Sequence, residues 1–148
     1  MSNKPLHILL VDDDADDRLL FQEAMNEVNP QAKLSTADGC DMLMKLAKIE
    51  NDKPDMIFLD LNMPGLNGFE CLEEIKSKHH FGNIPVIIYS TTANPEQVKK
   101  TYTIGATLYM QKPSSFDGIK KLMNQVLKIN FNDHRQKAMV TNMVLSAG

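Results

Sequence analysis

Five short apolar runs divide the chain. His7–Val11, Lys33–Ala37, Met56–Asp60, Val86–Ser90 and Thr107–Gln111 are rich in aliphatic or β-branched residues and too short for helices, so they read as strands. Between them the period changes. Phe21, Ala24, Met25 and Val28 fall on one helical face, as do Met42, Leu43, Leu46 and Ala47, and then Phe69, Leu72 and Ile75. Val98, Tyr102 and Gly105-Ala106 make a weaker stripe, and Ile119, Leu122, Met123, Val126 and Leu127 the clearest one. Pro30, Pro54, Pro64-Gly65, Pro85 and Pro113 fall at the joints. Asp38, before Gly39, is placed to cap the second helix, and Ser114 with Asp117 has capping-box spacing for the fifth.

The strand starts are far enough apart for helical crossovers. This predicts an α/β (βα)₅ chain, with a five-stranded parallel sheet covered by helices on both faces, since the strands are apolar on both sides. The core domain spans 1–129. The remainder, Asn130 to Gly148, is a C-terminal extension too short for an output domain. Asn132 or Asp133 is placed to cap a further short helix carrying Met139, Val140, Met143 and Val144 as an apolar stripe. Leaving that stripe in water is unfavourable, and the sequence favours docking on a second copy, giving a homodimer.

The chain has 148 residues, enough for one domain. A net charge of −3 supplies no basic field for nucleic acid or an anionic membrane. No apolar run approaches the roughly 20 residues of a membrane span, and Met1 to Pro5 lead directly into a strand without a signal-peptide pattern. The expected compartment is the cytoplasm. Cys40 and Cys71 form neither a CxxC pair nor a Cys/His cluster and are expected as separate small apolar residues on helices. His79 and His80 read as a solvated helix end, and His7 and His134 are isolated.

In open parallel sheets, ligands sit beyond the carboxyl ends of the strands. There the first strand ends in Asp12-Asp13-Asp14, the third in Asp60, the fourth in Ser90-Thr91-Thr92 and the fifth in Lys112-Pro113. Carboxylates from two neighbouring strands crowd together, which is unfavourable unless a hard cation such as Mg²⁺ neutralises them. Lys112 adds a point charge and Ser90 a hydroxyl donor. A carboxylate nucleophile, a metal, an ammonium and a hydroxyl together suit phosphoryl transfer to aspartate. Each signal alone is weak, and their convergence at four strand ends is specific.

The segments Ile8-Leu-Leu-Val-Asp-Asp-Asp14, Ile57-Phe-Leu-Asp-Leu-Asn-Met-Pro-Gly-Leu-Asn-Gly68, Pro85-Val-Ile-Ile-Tyr-Ser90 and Tyr109-Met-Gln-Lys-Pro113 resemble the receiver domain of two-component response regulators over residues 6–129. Asp16-Asp17-Arg18-Leu19-Leu20 and Phe69-Glu70-Cys71-Leu72 further resemble stand-alone regulators that partner bacterial phytochromes. The resemblance implies a flavodoxin-like fold with strand order 2-1-3-4-5. It implies a non-enzymatic signalling protein that assists its own phosphorylation and dephosphorylation, with a sensor histidine kinase or phosphotransfer protein as donor. Asp60 would be the phosphoacceptor, and Mg²⁺ would be held by Asp12, Asp13, Asp60 and the backbone carbonyl of Asn62. Lys112 would contact the phosphoryl group across a cis Lys112–Pro113 bond. Ser90 and Tyr109 would be the switch pair: Ser90 moves to the phosphoryl group, Tyr109 swings inward, and the face of the fourth helix, fifth strand and fifth helix changes. Asp14 reads as a loop carboxylate or helix cap. Thr91 stands where the family often has a smaller residue, and Asn62 and Thr92 occupy the two positions that tune hydrolysis.

Three other functions are weighed against this one. A receiver-like protein-binding module that takes no phosphate would share the fold. A haloacid-dehalogenase-like phosphatase wants a second Asp two residues after its nucleophile, where this chain has Asn62. A flavin or nucleotide carrier wants a Gly-rich loop after the first strand, where this chain has aspartates.

Overall fold

The structure, a computed structural model, describes residues 5–47, 53–62, 68–78, 81 and 83–147. The apolar runs form β1 (His7–Val11), β2 (Lys33–Ala37), β3 (Met56–Leu59), β4 (Val86–Ser90) and β5 (Leu108–Gln111). Between and after them lie α1 (Ala15–Val28), α2 (Cys40–Ala47), α3 (Gly68–Ser77), α4 (Pro95–Ile104), α5 (Phe116–Leu127) and α6 (His134–Val140), and a two-residue β6 (Val144–Leu145) ends the chain's regular structure. The sheet is parallel with order β2-β1-β3-β4-β5-β6. The flavodoxin-like order is therefore present and extended by one strand.

Alternation along the strands builds two cores. Leu9, Val11, Ile57, Leu59, Val86, Ile88 and Tyr109 face one side, with Leu43, Leu72, Ile75 and Val98 from the helices there. Ile8, Leu10, Met56, Phe58, Ile87 and Tyr89 face the other, against the stripes of α1 (Phe21, Ala24, Met25) and α5 (Ile119, Leu122, Met123, Val126). Phe21, Phe58 and Tyr89 meet edge to face, with ring centroids 5.0–6.4 Å apart. Fully burying one such side chain contributes about 1.5–3 kcal/mol, so these stripes hold the helices to the sheet. Among the described residues no helix is long and apolar enough to cross a membrane.

Helix starts differ in detail from the sequence expectation. The Ser115 hydroxyl, one residue past Ser114, caps α5 by accepting from the Gly118 N–H (3.0 Å). At α2, which starts at Cys40, the Gly39 carbonyl accepts from the Leu43 N–H, so Gly39 rather than Asp38 stands at the cap position. Asp14 caps α1 and Asp133 caps α6. Asn94, followed by Pro95, caps α4. Cys40 and Cys71 are not separate: they form a disulfide with Cα atoms 5.8 Å apart. Successive crossovers lay α2 and α3 side by side over one core, and a separation of 31 residues hides that adjacency in the sequence.

The extension is part of the fold. Asn142 adopts a positive φ of 69°, a conformation Asn tolerates, and the chain turns there after α6. It then runs alongside β5, pairing Tyr109 with Val144 and Met110 with Leu145. The apolar stripe splits accordingly: Val140 and Val144 pack inward, while Met139 and Met143 stay 75% and 44% exposed. The tail thus docks within the chain, where the sequence favoured a second copy. The edge of β5 offers unpaired backbone groups, and the tail satisfies them.

Candidate functional site

The site lies just past the carboxyl ends of β1, β3, β4 and β5. Each key residue is held there by one further rung of the parallel ladder. Asp12 N–H donates to the Ala37 carbonyl (3.0 Å), Asp60 N–H to Val11 (2.9 Å) and Lys112 N–H to Ser90 (2.8 Å). The backbone is therefore still part of the sheet where the charged side chains begin, which keeps them convergent rather than splayed by loops.

Carboxylate oxygens of Asp12, Asp13 and Asp60 lie within 4.8 Å of one another. Asp12 and Asp60 are buried and Asp13 is exposed. Burial pushes the Asp12 carboxyl up to about 6, opposed by hydrogen bonds from Lys112 and the Asp14 N–H and reinforced by the charge of Asp60. Such a set of hard oxygen donors, one of them resisting ionisation, fits a hard divalent cation. The Lys112 ammonium donates to Asp12 Oδ2 (2.8 Å), Asp17 Oδ2 (2.9 Å) and Asp60 Oδ2 (3.2 Å), with only 8% of its side chain exposed. Burial alone would lower its pKa, but these carboxylates outweigh burial and raise it, so it stays charged. Its Nζ also lies 5.3 Å from the centroid of the Tyr89 ring.

Ser90 Oγ accepts from Asn62 Nδ2 (3.1 Å) and from the Thr92 N–H (3.2 Å), linking the ends of β3 and β4. The Asn62 N–H donates to Asp60 Oδ1 (3.0 Å). Tyr109 is fully buried: its hydroxyl donates to the Thr92 carbonyl (2.5 Å) and accepts from Gln97 Nε2 (3.2 Å). The ring expected to swing inward is thus already inward. Its backbone is fixed by Tyr102, whose hydroxyl accepts from the Tyr109 N–H (3.0 Å) and reaches the tail carbonyls of Met143 (2.5 Å) and Val140 (3.3 Å). The Lys112–Pro113 bond is not cis. The ladder bond from Lys112 N–H to Ser90 holds the lysine backbone, and its side chain reaches Asp60 with the bond in the commoner trans form.

The sequence residues Asp12, Asp13, Asp60, Ser90, Tyr109 and Lys112 are therefore brought to one edge. Asp17, Tyr89 and Tyr102 belong to the same constellation and were not anticipated, and Asn62, expected at a position that tunes hydrolysis, joins it through its side-chain bond to Ser90. Asp17 follows the Asp14 cap by three residues, which puts it in the first turn of α1 beside the strand ends. Met63, Pro64, Gly65, His79 and His80 lie outside the described residues.

Comparison with known proteins agrees with this geometry. The family model of the response regulator receiver domain matches residues 8–124. The response regulator Rcp1 of Synechocystis is 32% identical over 130 residues, covering 84% of this chain and 88% of that protein. The crystal structure of the phosphorylated cyanobacterial phytochrome response regulator RcpA superposes with a TM-score of 0.75 at 28% identity, covering 82% of this chain and 91% of that one. That of the Mn²⁺-bound form of Rcp1 gives 0.72 at 29%, with the same coverage of each chain. With its fold, its strand-end aspartates and a family match over most of its length in agreement, this chain belongs to the response-regulator receiver family of two-component signalling.

Proposed function

We propose that this protein accepts a phosphoryl group on Asp60 from a phosphohistidine, carried by a sensor histidine kinase or a phosphotransfer protein, and works in the cytoplasm. The observation that carries this is the Lys112 ammonium, 3.2 Å from Asp60 Oδ2 and 2.8 Å from Asp12 Oδ2, at the strand edge where the acidic residues converge. Asp12, Asp13 and Asp60, with the Asn62 carbonyl, would hold Mg²⁺, which supplies charge neutralisation for the carboxylates and for the phosphoryl oxygens. An Asp60 oxygen attacks phosphorus as the bond to the donor nitrogen breaks. Lys112 stabilises charge on the transferred group. The Ser90 hydroxyl turns to a phosphoryl oxygen, and phosphorylation favours the inward Tyr109 arrangement over others. The surface of α4, β5 and α5 then changes affinity for a partner. The protein is a phosphoacceptor that assists its own phosphorylation and dephosphorylation rather than an enzyme acting on other substrates.

The alternative, a binding module that takes no phosphate, leaves the convergence of Lys112 on Asp60 without a use. Incubation with acetyl phosphate and Mg²⁺, followed by intact mass, separates the two. One added phosphoryl group, lost on chelation and in Asp60→Asn, supports phosphotransfer, and no adduct supports the binding module. A homodimer now rests on the exposed Met139 and Met143. Sedimentation of full-length and tail-truncated protein tests it: equal monomer masses at high concentration refute a tail-mediated dimer.

A further inference from the structure

Lys112 has three N–H groups, and all three are engaged by carboxylates: Asp12, Asp17 and Asp60. A phosphoryl oxygen can bond this ammonium only if one of them lets go. The three are not equivalent. Asp12 is fully buried and, with Asp60, belongs to the group of carboxylates able to hold a cation. Asp60 is the acceptor. Asp17 belongs to neither category, and its side chain is 36% exposed, so water takes over its hydrogen bonds on release. Its position is nonetheless fixed. Asp14 Oδ1 accepts from the backbone N–H groups of Asp16 (2.9 Å) and Asp17 (3.1 Å), which pins the first turn of α1 against the strand ends.

Resting on the phosphoacceptor function above, we infer that Asp17 is a positioning residue that acts through Lys112 as a stand-in anion. Before phosphorylation it occupies the lysine N–H that a phosphoryl oxygen will take. During transfer, an Asp60 oxygen forms the new bond to phosphorus while the bond from phosphorus to the leaving group breaks, and the electron pair departs with that group. No proton passes through Asp17. Its part is exchange: its hydrogen bond to Lys112 gives way to one from Lys112 to the incoming oxygen. Its negative charge remains near the new group and opposes it. Asp17 therefore occupies one Lys112 N–H in the resting protein and restrains the entry of an anionic phosphoryl donor.

Two variants separate charge from position. Asp17→Asn keeps an acceptor for Lys112 and removes the charge, and Asp17→Ala removes both. The rate of adduct formation is followed by intact mass in Mg²⁺, with acetyl phosphate as a dianionic donor and phosphoramidate as a less charged one. Both variants should react faster with acetyl phosphate by about three- to tenfold, the scale of one partly exposed charge. The gain should be smaller with phosphoramidate and should shrink as salt is added, which loss of a merely structural contact would not produce. A slower Asp17→Ala restored by Asp17→Asn would overturn the inference, because Asp17 would then be needed as an acceptor rather than displaced. Rates equal to wild type would also overturn it. A wild-type protein that takes no phosphoryl group at all overturns the phosphoacceptor function, and this inference with it.

Discussion

Tyr102→Phe should loosen the tail without unfolding the sheet. The Tyr102 hydroxyl lies between β5 and β6: it accepts from the Tyr109 N–H at 3.0 Å and donates to the Met143 carbonyl at 2.5 Å. Only one hydroxyl proton is available, so the longer contact to Val140 is an alternative rather than an addition. Phe keeps the ring and removes both bonds. A net hydrogen bond is worth about 0.5–1.5 kcal/mol, and leaving a buried N–H unpaired costs about 1–3 kcal/mol, so tail docking should weaken by about 1–3 kcal/mol. The undocked population then rises about 5- to 150-fold, at a factor of ten per 1.4 kcal/mol. Native-state hydrogen exchange reads this directly, because local opening sets protection at the sheet edge. The amides of Tyr109, Val144 and Leu145 should exchange faster by that factor, while those of Leu9 and Phe58 in the central strands keep wild-type protection. Unchanged exchange at all three edge amides would show that β6 pairs with β5 without the tyrosine. Uniform loss of protection would show that the hydroxyl supports the whole fold.

Three further outcomes follow from the same structure. The Asp12 carboxyl is raised from its ordinary 3.8 to about 6, so the metal-free folded state holds its proton more tightly than the unfolded chain; its contribution to stability is intact below pH 3.8 and falls as pH rises to about 6, by at most about 3 kcal/mol. Thermal melts should therefore show Mg²⁺ stabilising the protein more at pH 7.5 than at pH 5, and a Mg²⁺ increment independent of pH would contradict this. Gly68→Ala would place a Cβ 2.7 Å from the Leu61 carbonyl oxygen, against backbone that cannot simply rotate away, and should destabilise urea unfolding by about 1–3 kcal/mol. Reducing the Cys40–Cys71 bond should lower unfolding stability by about 3–4 kcal/mol on the chain-entropy scale for a separation of 31 residues, and Cys40→Ser should abolish the sensitivity to reductant.

The parallel α/β core was legible because both its periods are strong. Strands apolar on both faces and helices such as Ile119–Leu127 leave few alternatives. The main site was legible because a strand end is a fixed place: Asp12, Asp60, Ser90 and Lys112 each close a strand that the apolar pattern defines. What escaped depends on tertiary neighbours. Val144 fits a helical stripe when counted from Met139, yet the turn at Asn142 places it in a two-residue strand that only the exposed edge of β5 explains. Cys40 and Cys71 carry no spacing motif, and their pairing needs α2 beside α3. Asp17 stands beside Asp14 and Asp16 with no pattern that singles it out, and only the reach of Lys112 distinguishes it. Tyr109 lies on β5, within the strand that the apolar pattern predicts, but its inward position depends on Thr92 and Gln97, which no pattern connects to it.

The central claim is that Asp60, among the carboxylates gathered around Lys112, is the one that takes the phosphoryl group. Trapping the acyl phosphate chemically tests this most directly. The protein is incubated with acetyl phosphate and Mg²⁺ and reduced with borohydride, which converts a phosphorylated aspartate to homoserine, and the digested peptides are sequenced by mass spectrometry. Homoserine should appear at position 60 and at none of positions 12, 13, 14 or 17. Homoserine at one of those positions instead, or at no aspartate under conditions that add a phosphoryl group to the intact protein, would contradict the assignment.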